Sequence, residues 1–181
     1  MNVKVLKTNQ KPTTSNYILG IDTSLRSTGI AVIKKNADNL SAVDFGTIKT
    51  SPKAPISMCL FNLHRGITTW IEKFNPGAVA IEDVFLCKNF RTAFVLGQAT
   101  GVVISVCAIH SIPVYEYSAK KIKKAILGYG SADKYQIAKM IQLMLNLSEV
   151  PEEDAADALA IAICHANTIE INSALNKIKP V

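Results

Sequence analysis

The stretch YILGIDTSLRSTGIAVIK, residues 17–34, decides the fold. Two apolar, β-branched runs, 17–22 and 28–34, flank the turn-like Thr23-Ser24-Leu25-Arg26-Ser27, which predicts a hairpin of two strands. A third strand over 41–49 follows through Asn36-Ala37-Asp38-Asn39. Further out, residues 56–74 place Leu60, Leu63, Ile67, Ile71 and Phe74 at helical intervals before Asn75-Pro76-Gly77 stops them. Residues 78–82 (AVAIE) form a short apolar strand, 89–110 a long buried helix and 112–117 another strand, so this part reads as strand, helix, strand with a parallel crossover. Helices over 119–127, 134–147 and 152–167 complete an α/β chain with a mixed five-stranded sheet flanked by helices.

Composition agrees with one folded domain. The chain has 181 residues, 49% hydrophobic and 19% charged, with no Pro/Gly/Ser-rich linker to divide it, which excludes disordered and fibrous classes. We expect a basic, acid-free arm over 1–16, a single folded domain over 17–170 and a tail over 171–181. A net charge of +6 permits attraction to phosphates or to anionic lipid. Cys59, Cys87, Cys107 and Cys164 show no C-x-x-C pair and read as buried reduced thiols of a cytoplasmic protein. His64, His110 and His165 are scattered, with helix-surface or helix-end roles expected. The uncharged run 92–109 contains Gln98, Thr100 and Ser105 and lies between two strands, so it is read as a core helix and not a membrane span.

Several acids stand where folding alone does not need them. Asp22 ends an apolar strand; a turn role is the plain reading, but Gly20 shares its face and leaves space beside the carboxylate. Ala80-Ile81-Glu82 repeats the pattern, and alternation favours Glu82 over Asp83 for the same face. Asp154 and Asp157 lie one helical turn apart in PEEDAADALAIAI, residues 151–163. Acids in a first turn suit the helix dipole, but Asp157 lies in the second turn among alanines. Four converging carboxylates repel one another, and hard divalent cations offset that repulsion: Mg²⁺ binds through one or two carboxylates per ion plus water and phosphate. Two such ions serve phosphoryl transfer in nucleases and polymerases.

Lys120, Lys121, Lys123, Lys124 and Lys134 put five positive charges within fifteen residues around the loop 128–133. They read either as a solvated helix face or as phosphate contacts whose binding weakens with salt. Phe85, three residues after Glu82, reads either as a hydrophobic plug or as a platform for an unstacked base.

The chain resembles the RuvC-type Holliday junction resolvases of the ribonuclease H-like superfamily. The motifs that carry the resemblance are Ile18-Leu19-Gly20-Ile21-Asp22, Ile81-Glu82-Asp83-Val84-Phe85, Lys88-Asn89, Leu96-Gly97-Gln98-Ala99, Gly128-Tyr129-Gly130-Ser131-Ala132-Asp133-Lys134 and Asp154-Ala155-Ala156-Asp157-Ala158-Leu159-Ala160, in that order. The resemblance implies a ribonuclease H-like fold and a nuclease that resolves four-way DNA junctions by paired symmetric nicks. It implies catalytic, metal-binding acids at Asp22, Glu82, Asp154 and Asp157. It further implies Mg²⁺, replaceable by Mn²⁺, as a pair of ions per active site, DNA contacts at Lys123 and Lys134, and base stacking by Phe85. A homodimer is implied too, with branch-migration helicase proteins of the RuvA and RuvB type as partners; Ala93, Gly97 and Gly101 make a small-residue stripe suited to dimer contact or to packing on the chain's own sheet. Two departures stand out: Asp22-Thr23-Ser24 replaces the family's Asp-Pro-Gly, and Asp154 stands where some members carry histidine.

Other readings stay open on residues alone. Another ribonuclease H-like nuclease, acting on RNA or other branched DNA, would share fold and acids. A sugar-kinase or actin-like ATPase is suggested by GIDTS followed by TGIAV but requires a second such domain. A non-catalytic junction-binding module would keep the lysines and could dispense with the acids.

Overall fold

The computed structural model describes residues 15–37, 39–83, 90–128, 133–173 and 179–181. The strands are β1 (Tyr17–Asp22), β2 (Ser27–Asn36), β3 (Asn39–Lys49), β4 (Ala78–Glu82) and β5 (Val114–Tyr117). The helices are α1 (Ile56–Phe74), α2 (Phe90–Ile109), α3 (Ala119–Leu127), α4 (Lys134–Met144) and α5 (Glu153–Ser173). The sheet runs β3-β2-β1-β4-β5. β1 pairs antiparallel with β2, and β2 with β3, whereas β4 joins β1 and β5 in parallel. The mixed sheet expected from the sequence is therefore present.

Strand alternation divides the core into two layers. Leu19, Ile21, Ile30, Val32, Val79 and Ile81 face α1 and α2. Ile18, Ala31, Ile33 and Ala80 face the other way, toward α3, α4 and α5. On that second face, Ala31, Gly20 and Ala80 are register partners across three strands, a row with almost no side-chain volume. The row admits the alanine-rich α5 at close range: a Cβ on Gly20 would lie 2.2 Å from the Ala158 carbonyl oxygen and 2.9 Å from the Ala162 Cβ. A buried polyalanine surface over small sheet residues thus sets how near α5 lies to the strand ends, and with it the position of every acid on that helix.

Several boundaries differ from the sequence reading. β5 begins at Val114 because Pro113 offers no N–H to the ladder, although its carbonyl accepts the Val79 amide at 2.9 Å. α4 stops at Met144, where Asn146 turns left-handed at φ 51°. α5 continues past residue 167 to Ser173, so the expected tail from 171 begins inside a helix, and the Val181 amide bonds the Val114 carbonyl at 3.0 Å. Of the arm, residues 1–14 lie outside the described residues; Asn16 accepts the Lys35 amide at 2.9 Å.

Three further expectations meet the structure. Cys59, Cys107 and Cys164 are buried free thiols, while Cys87 lies outside the described residues. His165 is not at a surface or helix end: it is fully buried, its Nδ1 2.7 Å from the Tyr117 hydroxyl, and burial lowers its pKa to about 4. α2 is long and apolar enough to cross a membrane, yet it is a one-sided core helix. Ala99, Val103, Val106 and Cys107 pack against the sheet, and Phe90 and Phe94 are 96% and 69% exposed. The helix expected to be buried is thus buried along one side. Of the small-residue stripe, Gly97 and Gly101 do not pack on the chain's own sheet: a Cβ at either would meet nothing within 4 Å among the described residues.

Candidate active site

Register builds the centre of the site. Ile21 pairs with Ile81 across the parallel β1–β4 ladder, so the next residues, Asp22 and Glu82, end adjacent strands on the face that carries α5. Asp22 is itself paired with Gly29 on β2. The first turns of α5 cross these strand ends because Gly29 leaves room: a Cβ there would lie 1.9 Å from the Asp154 carbonyl oxygen. Asp157, one turn on, then faces Asp22 and Glu82 across a cleft of about 370 Å³. Lys123 from α3 and Lys134 from α4 enter the same cleft, and Ile122, Ile137 and Ile161 form its apolar floor.

Burial and mutual repulsion act together on the acids. Asp22 is raised to about 7, first by desolvation and then by the charges of Asp157, Glu82 and Asp154, with Lys134 opposing. Glu82 is raised by burial and by Asp157, against the pull of Lys123 and Lys134. Burial raises Asp157 as well, while Lys134 draws it down. The Lys134 ammonium lies 3.6 Å from Asp157 Oδ2 and donates a hydrogen bond to Glu153 Oε1.

Asp154 departs from expectation. Residues three apart are separated by about 60° around a helix, and this difference turns Asp154 toward β2, where the Ser27 hydroxyl donates to its Oδ2. It does not line the cleft with Asp157, although its charge reaches both Asp22 and Asp157. Asp83, set aside on alternation, is likewise not a lining residue; its amide continues the ladder to the Tyr117 carbonyl at 2.9 Å. Lys120, Lys121 and Lys124 are exposed on α3 and do not line the cleft, and Lys121 sits 4.7 Å from the centre of the Tyr117 ring. Phe85 lies outside the described residues.

Sequence reasoning missed Ser27, Glu153 and Gly29. Glu153 passed as an ordinary acidic helix start, and Ser27 as a turn residue. Gly29 carried a usable signal: it is a glycine inside an apolar strand, and counted along β2 it shares the face of Ala31.

As the side chains stand, no three His, Cys, Asp or Glu residues among the described ones converge on a single ion position. The donor chemistry nonetheless suits a hard divalent cation: the groups are carboxylate oxygens, and burial together with their mutual repulsion holds Asp22 far above its ordinary value.

A ribonuclease H-like sheet with acids at the ends of β1 and β4 and on the helix crossing them defines a nuclease of that superfamily. The family model for Crossover junction endodeoxyribonuclease RuvC matches residues 18–165. A crossover junction endodeoxyribonuclease RuvC of Vibrio vulnificus (strain CMCP6) is 48% identical over 153 residues, covering 84% of this chain and 88% of the relative. One from Geotalea uraniireducens (strain Rf4) is 43% identical over 158 residues, covering 87% and 92%. The structure of T. thermophilus RuvC in complex with Holliday junction substrate superimposes with a TM-score of 0.82 at 31% identity, over 91% of this chain and 99% of that one. The yeast mitochondrial Holliday junction resolvase Ydc2, at 14% identity and a TM-score of 0.65, shares the fold. The chain belongs to the RuvC family of crossover junction endodeoxyribonucleases.

Proposed function

We propose that the protein resolves four-way DNA junctions by hydrolysing a phosphodiester in the cleft between Asp22, Glu82, Asp157, Lys123 and Lys134. The observation that carries the proposal is the pairing of three desolvated, mutually repelling carboxylates with two lysines in one cleft of a RuvC-family fold. Asp22, Glu82 and Asp157 would hold divalent metal, with Asp154 contributing from the Ser27 side; Mg²⁺ is the ion this donor set suits, Mn²⁺ a substitute, and two ions the proposed number. Bound metal supplies activation of the attacking water and charge stabilisation at the leaving oxygen.

The chain's own residues position the substrate. Lys123 of α3 and Lys134 of α4, both lining the cleft, draw the scissile phosphate to the acids and balance its charge. Lys120, Lys121 and Lys124 extend the positive surface along α3 and would hold neighbouring phosphates. Water attacks phosphorus, the bond to the 3′ oxygen breaks, and a 5′-phosphate and a 3′-hydroxyl remain, ends that a ligase can join. Phe85, following the Glu82 strand end, would stack against an unpaired base. The exposed face of α2, with Phe90, Phe94 and the open Gly97 and Gly101, supports a homodimer that presents two clefts to one junction and so makes paired nicks. Branch-migration helicase proteins of the RuvA and RuvB type would deliver that junction, in the cytoplasm.

The test is cleavage of a synthetic four-way junction beside linear duplex, Y-fork and RNA–DNA hybrid, with Mg²⁺ or with chelator. Paired symmetric nicks confined to the junction and dependent on metal are expected. Cleavage of the hybrid alone would replace the substrate with RNA.

A further inference from the structure

A second hollow, about 310 Å³, opens beside the catalytic cleft, and Lys134 and Asp157 line both. Its interior is apolar, built by Ala138 of α4, Ala156 of α5 and the Val150-Pro151 segment between those helices. Tyr135 forms one side and is 69% exposed, and Val150 is 37% exposed, so neither side chain is there to fill the domain's core. An aromatic residue left this open on the rim of a nuclease cleft has a surface to offer.

The charges around the hollow decide what could enter it. Glu153 and Asp157 both line the hollow, Asp157 lining the catalytic cleft as well, and the Lys134 ammonium is engaged with both. A phosphate there would lie against two carboxylates, and Lys134, the cation ion-paired with both among the described residues, is shared with the catalytic cleft. A flat, uncharged heterocycle meets apolar walls and an aromatic ring, with carboxylate oxygens at hand to accept from an exocyclic amino group. The two hollows share Lys134 and Asp157 as lining residues, so a nucleotide adjoining the phosphate between Lys123 and Lys134 is the part of the substrate placed to reach the second one.

We propose that this hollow is a nucleobase subsite in which Tyr135 stacks on an unpaired base flanking the scissile phosphate. The proposal rests on the nuclease reading above and adds a substrate contact to it. The subsite would hold the strand in register while the phosphate lies among the acids, and Tyr135 would be a positioning residue, with its ring rather than its hydroxyl responsible.

The experiment compares wild type, Tyr135→Ala and Tyr135→Phe on metal-supported four-way junctions whose nucleotides flanking the cut are replaced, one at a time, by abasic residues. Stacking of this kind corresponds to roughly ten-fold in rate or affinity. Wild type should lose about that much at one flanking position, Tyr135→Ala should lose the same on the intact junction with no further loss on that abasic one, and Tyr135→Phe should match wild type. A fluorescent 2-aminopurine at the same position should report stacking with wild type and Tyr135→Phe but not with Tyr135→Ala. If wild type cuts but Tyr135→Ala cuts every junction equally well, or if the two losses simply add, the subsite is wrong and the nuclease reading stands. If wild type cuts no junction, both fall together.

Discussion

Gly29 and Asp154 are in backbone contact: the Cβ that Gly29 lacks would sit 1.9 Å from the Asp154 carbonyl oxygen and 3.3 Å from the Cβ of Asp22. One missing methyl thus lets α5 cross β1 and β2 closely enough for its acids to meet that of β1. Gly29→Ala must push α5 outward, because the obstruction is the Asp154 backbone and cannot rotate away. We expect destabilisation at or above the ~1–3 kcal/mol typical of overpacking, read by chemical denaturation, together with loss of cleavage although all four acids are intact. Gly20→Ala, which meets the Ala158 carbonyl oxygen at 2.2 Å, should behave alike.

The raised carboxylates predict an unusual dependence of stability on pH. Asp22 titrates at about 7 in the fold against 3.8 in an unfolded chain, so between those values the native state holds the extra proton. Its contribution is complete below about 3.8 and is lost as pH rises through about 7. Metal-free protein should therefore lose several degrees of melting temperature across that window, with Glu82 and Asp157 acting in the same direction. Adding Mg²⁺ above pH 7 should restore the loss by binding the native state. Asp22→Asn should flatten the metal-free profile; a wild-type profile already flat from pH 5 to 8 would contradict the electrostatic picture.

Ser27 donates to Asp154, and Ser27→Ala removes the only side-chain hydrogen bond described for that carboxylate. Hydrogen bonds to charged groups are worth ~1.5–3 kcal/mol when buried, and less is expected at this part-buried pair. The sharper readout is a shift of the Mg²⁺ titration of cleavage to higher concentration, with Ser27→Thr keeping the wild-type midpoint.

Lys134 lies between Asp157 and Glu153 and opens onto the cleft. Lys134→Ala should lower junction affinity most at low salt and make the salt dependence shallower by about one in log–log slope. It should also move the titration of Asp157 and Asp22 upward, since Lys134 lowers both. Identical binding across a salt series would remove Lys134 from the DNA path.

Much of this arrangement is legible in the sequence because its signals are local. Strand alternation separates Glu82 from Asp83, and helical periodicity ended by Asn75-Pro76-Gly77 gives α1 its observed limits. The site's centre follows in the same way, from acids at the ends of two apolar strands. What sequence did not give was distance between elements. The position of Asp154 depends on which neighbour wins its carboxylate, and Ser27 lies 127 residues away along the chain. The one-sided burial of α2 escaped notice because its sequence is apolar all round, so composition does not say which face the sheet covers. Lys120, Lys121, Lys123 and Lys124 look equivalent as a run; helix phase admits only Lys123 to the cleft.

On the proposed function, the carboxylates of the cleft perform the cut without being needed to hold the DNA. The most direct measurement compares Asp157→Asn with wild type on one synthetic four-way junction, recording Mg²⁺-dependent cleavage and junction binding on the same samples. The account predicts cleavage reduced to background with binding at the wild-type level. Cleavage at the wild-type rate by Asp157→Asn would contradict it and move the chemistry elsewhere in the molecule.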